Sequence, residues 1–335
     1  MTHELKNIVQ QYEKRQGKHA AVLATVVALD GSSYRRPGVR MLIFENDDMV
    51  GAVSGGCVEK EVLRQAQSVF STGVSRIMVY DGRYRLGCEG ILYILLEVFA
   101  PNKAFLTLFW NTIQGRESFS IASFYRKEQS DNTNYHTYFE FGDSSFPVSN
   151  NSTTNTTELD IFKQEMNPCF QLVIIGAEHD AVQLCTFASA MGWEVTVVAN
   201  PKEEKTETDF PGIHQLIQTD PELFHLELDE QTAVIIMTHS FVKDLQFLIA
   251  LKEERAAYMG LLGPLRRREK LFDELLERCP DISEEFLENI HGPAGIDIGA
   301  ETPQEIAVSI LSEVLAVTNN KEPQLLKHKM GKIHT

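Results

Sequence analysis

The pattern of apolar and polar residues in the first 143 positions predicts a domain that mixes strands with helices. An unbroken apolar, β-branched run over 21–29 is typical of a strand buried on both faces. Apolar residues recur at helical spacing over 4–14 and 58–70, which predicts two helices. Shorter apolar runs predict further strands, at 41–44, 49–53, 76–80, 91–99, 104–110, 118–125 and 135–141.

The pattern changes after Pro168, where short apolar strands begin to alternate with helices. The strands are predicted at 170–175, 194–198, 233–237 and 258–262, and the helices at 180–191, from 241 onward, and at 264–276. A last helix begins at the capping box Thr302-Pro303-Gln304-Glu305. Strands that alternate with helices predict a parallel sheet covered on both faces.

A polar stretch separates the two patterns and indicates a domain boundary. Residues 144–168 are rich in Ser, Asn and Thr, which is typical of a linker. We therefore predict an α/β protein with an N-terminal mixed α/β (α+β) domain over 1–143 and a linker over 144–168. A C-terminal Rossmann-like, doubly wound parallel-sheet domain over 169–320 and a tail over 321–335 complete this division. A length of 335 residues fits two domains.

Composition and charge narrow the class of protein. The chain has 47 acidic and 31 basic side chains, and a net charge of −16 argues against general binding to nucleic acid. No apolar run approaches the roughly 18 residues needed to cross a bilayer, and the N-terminus has no signal-peptide pattern. Five cysteines without a framework spacing favour a reducing compartment. We therefore expect a cytoplasmic protein that binds neither nucleic acid nor a membrane.

Two cysteines in glycine-rich turns are the main candidates for chemistry. Ser54-Gly55-Gly56-Cys57 leads into a predicted helix that contains Glu59, and Gly87-Cys88-Glu89-Gly90 leads into a strand. Glycine lets backbone N–H groups approach a bound group, while a helix start attracts phosphate and lowers the pKa of a nearby thiol. Arg35 and Arg36, in the preceding polar loop, are candidates to bind the same anion.

Each of these features also has a purely structural interpretation. Cys57 fits a tight turn as a small buried hydrophobic residue, and the glycines around Cys88 fit a bulge before a strand. Arg35 and Arg36 fit an ordinary solvated surface. The residues alone leave these alternatives open.

The C-terminal domain carries a turn that resembles a dinucleotide-binding turn but departs from it. Gly176-Ala177-Glu178-His179 links a predicted strand to a helix, which is the order of a dinucleotide fingerprint. Glu178 stands where a glycine would face the pyrophosphate, and the acidic residue expected after the next strand is missing. We therefore expect a Rossmann-type scaffold that does not bind NAD(P).

Other candidates in this domain follow the ends of its strands, where ligands gather in α/β sheets. Thr238, His239 and Gly263 would border the crevice, and His239 is a candidate acid or base, or only a neighbour of a helix cap. Arg266-Arg267-Arg268 begin a helix, where cations oppose the helix dipole, so either a bound anion or a solvated basic face would explain them. The glycine-rich loop 291–300 would line the same crevice.

Motifs in both halves resemble those of the XdhC/CoxI family, whose members are accessory proteins of xanthine dehydrogenase and related molybdenum hydroxylases. The resemblance covers nearly the whole chain and is carried by the segments 24–27, 31–38, 54–59, 176–179, 238–239, 260–263 and 299–307. The last run, Gly-Ala-Glu-Thr-Pro-Gln-Glu-Ile-Ala, is the most specific.

The resemblance implies a chaperone that binds the molybdenum cofactor (molybdopterin), protects it during sulfuration and delivers it to the hydroxylase. Cys57 would hold the cofactor or its terminal sulfur, and thereby the molybdenum, with Cys88 as the second candidate. The remaining cofactor-binding candidates belong to the same loops: Arg35, Arg36, Ser54, Gly55, Gly56 and Glu59. Implied partners are a xanthine dehydrogenase or related hydroxylase and a cysteine desulfurase, with homodimerisation left open.

The chain departs from the family pattern at three places, one of which is the absence of the usual aspartate near the second Rossmann strand, at Ala199-Asn200. The family usually has Cys-Gly-Gly where this chain has Cys88-Glu89-Gly90, and Gly-Ala-Gly-His where this chain has Glu178 in the third position. Two alternative functions follow. One is an NAD(P)-dependent oxidoreductase that uses His239 as acid or base, and the other is a scaffold that docks onto a hydroxylase without any affinity for the cofactor.

Overall fold

The computed structural model describes residues 1–33, 36–56, 58–84, 90–149 and 158–330. They belong to two units, Met1–Pro168 and Cys169–Thr335, each with its own hydrophobic clusters. Among the described residues, no helix has both the length and the apolar character that a membrane crossing requires.

The described residues of the first unit form two antiparallel sheets and three α-helices. Its strands are β1 (Ala21–Asp30), β2 (Arg40–Phe44), β3 (Met49–Gly51), β4 (Arg76–Asp81), β5 (Ile91–Val98), β6 (Phe119–Tyr125), β7 (Ser130–Asp131), β8 (His136–Phe141), β9 (Ser144–Pro147) and β10 (Asp160–Met166). Its helices are α1 (Thr2–Arg15), α2 (Glu59–Thr72) and α3 (Lys103–Gln114). The six-stranded sheet has the order β3-β2-β1-β5-β4-β7 and the four-stranded sheet the order β10-β6-β8-β9.

Strand β1 is apolar throughout because both of its faces are covered. Val22 and Ala24 pack in one cluster with Val62 of α2, while Leu23 packs in another cluster with Phe105 of α3. The second cluster also takes in α1 and residues of the four-stranded sheet. Strand β1 therefore lies between α2 on one face and α1, α3 and the four-stranded sheet on the other.

Two sequence predictions for this unit are wrong. Residues 104–110 belong to helix α3, because Asn102 caps it by accepting a hydrogen bond from the Phe105 amide (2.8 Å) and the buried residues follow helical spacing. The described residues of the segment 144–168 do not form a linker. They supply β9 and β10, and β10 pairs with β6 along its whole length and buries Met166.

The second unit is a six-stranded parallel sheet with helices on both faces. Its strands are β11 (Gln171–Ile175), β12 (Glu194–Ala199), β13 (Gln215–Gln218), β14 (Thr232–Ile236), β15 (Tyr258–Leu261) and β16 (Ile290–His291). Its helices are α4 (His179–Ala190), α5 (Phe241–Leu251), α6 (Leu265–Arg278), α7 (Glu284–Glu288) and α8 (Pro303–Thr318).

The strand order β13-β12-β11-β14-β15-β16 is that of dinucleotide-binding folds. Helices α4 and α8 cover one face, and α5 and α6 cover the other. The predicted capping box of α8 is confirmed, since the Glu305 amide donates to the Thr302 hydroxyl and the Glu305 carboxylate accepts from the Thr302 amide. The predicted fold class is thus confirmed for both units.

Candidate functional site

Three loops of the first unit lie at one end of its six-stranded sheet, which we call the loop end. The β1–β2 loop (31–39) begins after Asp30, and the β4–β5 loop (82–90) connects Asp81 to Ile91. Ile91 is the cross-strand partner of both Asp30 and Asp81, so the two loops are neighbours. The β3–α2 loop (52–58) follows Gly51, whose partner Met41 lies at the beginning of β2. The loops that contain the glycine-rich segments therefore adjoin the same end of one sheet.

Backbone packing joins two of these loops. A Cβ atom on Gly90 would collide with the carbonyl oxygen of Ser32, so only glycine fits there. The Gly82 amide donates to the Gly90 carbonyl oxygen at 3.0 Å and closes the base of the β4–β5 loop. At Gly90, then, the glycine serves close packing between loops.

The β3–α2 loop is held by a compact network around Ser54 and Glu59. The Glu59 carboxylate accepts from the Ser54 amide (2.7 Å) and from the Ser54 hydroxyl (2.6 Å). The hydroxyl oxygen in turn accepts from the amides of Gly56 (3.1 Å) and Val58 (3.2 Å). Burial on its own raises the pKa of Glu59, but the hydrogen bonds from Ser54 and the backbone outweigh burial and leave that pKa lowered.

This network changes the roles expected for two of the predicted residues. Ser54 and Glu59 are hydrogen-bonded to each other, and these bonds hold the loop in one conformation. Gly55 and Gly56 are exposed, and a Cβ on either would have no heavy atom within 4 Å. Gly56 also has a φ of 113°, which favours glycine. Open space over two consecutive glycines suits the close approach of a ligand to the backbone.

Helix α2 begins at Glu59, two residues after Cys57, with Val58 as an N-cap residue that makes no side-chain bond. Its first turn contains the acidic residues Glu59 and Glu61, which already interact with the positive end of the helix dipole. Of the other candidates, Arg36 is exposed, whereas Arg35, Cys57 and Cys88 lie outside the described residues. Their roles stay predictions.

The glycine turn of the second unit has a structural cause. Gly176 has a φ of 133°, and a Cβ there would lie 2.5 Å from the Met237 carbonyl oxygen, so the turn needs glycine because β14 passes so close. Ala177 is buried, and Glu178 is an exposed N-cap residue of α4 without a side-chain capping bond. His179 is the first residue of α4.

The crevice at the carboxyl ends of β11–β14 has little room. Its free volume is about 10 Å³, roughly the space of one water molecule. Lys243 Nζ lies 3.3 Å from Glu203 Oε1, and the Asn200 amide donates to Asp220 at 3.2 Å. These two side-chain pairs border the crevice in which a dinucleotide would bind.

A buried carboxylate organises the loop after β14. Asp244 accepts from the Thr238 amide (3.1 Å) and hydroxyl (2.5 Å), and its other oxygen lies 2.6 Å from Arg267 Nη2. The ion pair with Asp244 accounts for a cationic Arg267 in the first turn of a helix, so no bound anion is needed to explain it. A Cβ on Gly263 would lie 2.8 Å from Arg267 Cδ. His239 turns away to Asp180, with 3.4 Å between Nε2 and Oδ2, and has a φ of 57°.

Comparison with known proteins agrees with these two units. Residues 15–81 match the XdhC and CoxI family, and residues 172–314 match the XdhC Rossmann domain. A crystal structure described as a xanthine dehydrogenase from Bacillus halodurans superposes with a TM-score of 0.76 at 25% identity, covering 94% of this chain and 96% of the other.

Two curated relatives align with most of the chain. A probable xanthine dehydrogenase subunit of Bacillus subtilis (strain 168) is 28% identical over 321 residues, which is 90% of this chain and 94% of the relative. The molybdenum cofactor insertion chaperone PaoD of Escherichia coli (strain K12) is 25% identical over 302 residues, which is 90% of this chain and 85% of the relative. Because family matches cover both halves of the sequence and the fold agrees with them, the chain belongs to the XdhC and CoxI family.

Proposed function

We propose that this protein binds the molybdenum cofactor and delivers it, after assisting its sulfuration, to xanthine dehydrogenase or a related molybdenum hydroxylase. The observation that carries the proposal is the loop end, where three loops with glycine-rich motifs lie at the same end of one sheet. The relation to a molybdenum cofactor insertion chaperone supports the same role.

The chemistry of this cargo fits the residue types of the loop end. Molybdopterin carries a phosphate and a molybdenum dithiolene centre, and thiolate is a soft ligand suited to such a centre. Cys57 would supply the thiolate, with Cys88 as the second sulfur. Arg36 and Arg35 would neutralise the phosphate, and the open backbone at Gly55 and Gly56 would let the cargo approach.

Ser54 and Glu59 have a positioning role in this proposal. A buried, ionised Glu59 that binds the Ser54 amide and hydroxyl keeps the turn in one conformation before the cargo arrives. Preorganisation of this kind reduces the entropy lost on binding. The partners would be the hydroxylase that receives the cofactor and a cysteine desulfurase that supplies sulfur.

The test is retention of cofactor by the purified full-length chain from a molybdate-fed host. Molybdenum and pterin per chain are measured by mass spectrometry for the unaltered chain, for Cys57→Ser, and for Cys279→Ser as a control thiol in the second unit. We expect Cys57→Ser to lose most of the bound molybdenum and Cys279→Ser to keep it. Equal retention by both variants would remove Cys57 from the proposal, and absence of cofactor from the unaltered chain would overturn the function itself.

A further inference from the structure

A histidine–glutamate pair in the second unit lies apart from the crevice of that unit. Glu313 of α8 accepts three hydrogen bonds, from His291 Nδ1 (3.0 Å), the Tyr258 hydroxyl (2.5 Å) and the Gly295 amide (2.6 Å). The His291 ring also stacks on Tyr258, with 4.5 Å between ring centroids. These contacts hold the imidazole in one orientation.

The pairing fixes which nitrogen of His291 is available. Burial alone raises the pKa of Glu313, but the hydrogen bonds from His291, Tyr258 and Gly295 outweigh it and lower that pKa, so the carboxylate is ionised. An ionised carboxylate only accepts hydrogen bonds, so Nδ1 carries a proton, and in the tautomer that this contact favours Nε2 is the acceptor nitrogen. Nε2 has no hydrogen-bond partner among the described residues, and it is not one of their buried unpartnered atoms. It therefore reaches solvent.

His291 and Tyr258 line a cleft of about 390 Å³ at the amino ends of β14, β15 and β16. This volume lies within the range of small-molecule pockets, roughly 300–1,000 Å³. The other walls are the segments 252–257 and 283–289, with Glu230 and Val317 at the sides. The cleft lies at the opposite edge of the sheet from the crevice of about 10 Å³.

The charges around the cleft select a cation. Glu230, Glu254 and Glu285 line it, against Arg255, while Lys252 is matched by Glu253 at 3.8 Å. Helix α5 ends at Leu251, immediately before the cleft wall, and Val317 belongs to the last turn of α8. Both helices therefore bring the negative ends of their dipoles to the same place.

We propose that this cleft binds a small organic cation, an ammonium or a guanidinium, whose N–H donates to His291 Nε2. The described residues contain no group of three or more His, Cys, Asp or Glu side chains that would hold a metal ion, so an organic cation is the better fit. Glu313 is a positioning residue that keeps the acceptor nitrogen turned to the cleft. This site is independent of the cofactor-binding role proposed for the first unit.

The experiment titrates the full-length chain with agmatine, which carries both a guanidinium and an ammonium. NMR of ¹⁵N-labelled histidine follows Nε2 of His291 directly. We expect saturable binding and a shift of the Nε2 resonance, whereas a purely structural cluster would leave that resonance unmoved. Succinate, an anion, serves as the matched negative ligand.

Two variants and one control locate the binding. His291→Phe keeps a ring on Tyr258 but removes the acceptor, and should weaken binding about tenfold. Glu285→Gln changes only an exposed rim charge, so it folds, and should weaken binding about fivefold. Glu207→Gln, an exposed carboxylate outside the cleft, should leave affinity unchanged.

The absence of saturable agmatine binding to the unaltered chain would overturn the proposal. Binding that survives both His291→Phe and Glu285→Gln unchanged would overturn it as well, as would equal weakening by Glu207→Gln. If His291→Phe fails to fold, the Nε2 shift and the Glu285→Gln affinity still decide the question.

Discussion

Glu97 of β5 is a buried carboxyl group between the two sheets of the first unit. It accepts from the Thr137 amide (2.9 Å) and hydroxyl (2.5 Å), and burial raises its pKa to about 7. The nearby Arg40 is equally buried, and burial lowers its pKa to about 10. Among the described residues, neither Arg40 Nε and Nη2 nor the Thr25 hydroxyl beside them has a hydrogen-bond partner. Such a polar layer is costly, because buried donors without partners lose their hydration.

The raised pKa of Glu97 makes stability depend on pH. Between its ordinary pKa of 4.5 and its folded pKa of about 7, the folded state keeps a proton that the unfolded state releases. The unfolding free energy therefore falls as pH rises through this window, by about 3 kcal/mol for this group. Glu97→Gln stays neutral throughout. We expect the variant to gain stability relative to the unaltered chain as the pH is raised from 4.5 to 7.

Urea unfolding followed by tryptophan fluorescence measures this difference. The chain has two tryptophans, Trp110 and Trp193, so a Trp193→Phe background makes Trp110 report on the first unit alone. Glu117→Gln, at an exposed position of the same unit, is the control and should show no such pH dependence. A Glu97→Gln curve parallel to that of the unaltered chain would rule out the raised pKa.

Ser54 offers a second test at the level of one hydroxyl. Ser54→Ala removes the donor to Glu59 and the acceptor of the Gly56 and Val58 amides. A lost hydrogen bond of about 1 kcal/mol corresponds to about fivefold faster hydrogen exchange at these two amides.

The matched control is Ser71→Ala, which removes a hydroxyl from the last turn of α2 and should leave the loop amides unchanged. Unaltered exchange at Gly56 and Val58 in Ser54→Ala would mean that other contacts hold the loop. A loosened loop should also retain less cofactor if the proposed function is right.

At the scale of elements, regular periodicity was sufficient to predict most of the helices and strands. The failures have identifiable causes. In α3 the residues Phe105, Leu106 and Phe109 are all apolar, and a short apolar run does not distinguish a strand from a buried helix. Strand β10 is an edge strand whose positions are exposed or half-buried up to Met166, and four of its seven residues are polar or charged, so its sequence resembles a polar connection. Strand β13 is a four-residue edge strand with polar ends.

The sites were predictable only in part, because their residues meet through the fold. The alternation of strands and helices was enough to predict the crevice of the second unit, but not that Lys243 and Glu203 border it so closely. His291 and Glu313 are 22 residues apart, and only one signal pointed to them. Glu313 interrupts the apolar stripe of α8 three residues after Ile310, and a charge on such a stripe needs a partner.

The small free volume of the crevice in the second unit leads to a prediction about dinucleotide binding. Under the oxidoreductase alternative, Glu178→Gly would restore the missing glycine and strengthen NAD binding. Because the crevice has about 10 Å³ of free volume, we expect neither the unaltered chain nor Glu178→Gly to bind NADH saturably. NADH fluorescence measures this, and a lactate dehydrogenase serves as the positive control. Saturable binding by Glu178→Gly would restore the oxidoreductase alternative.

At the scale of the whole molecule, the hydrophobic clusters of the two units share no residue. Three clusters belong to Met1–Pro168 and two to Cys169–Thr335. Each unit has about 168 residues, which is enough to bury an independent core. We therefore expect residues 1–168 and 169–335, expressed separately, each to unfold cooperatively. Cofactor should copurify with residues 1–168 and not with 169–335.

The position of the boundary decides whether the first unit folds. Residues 1–143, the domain expected from composition, lack β9 and β10 and with them the buried side chains of Val148 and Met166. Loss of β10 also leaves β6 without one of its two neighbouring strands and uncovers its backbone N–H and C=O groups. Circular dichroism and urea unfolding should therefore show a cooperative transition for residues 1–168 and none for residues 1–143. Equal cooperativity of the two fragments would mean that β10 is dispensable, and failure of both would mean that the first unit depends on the second.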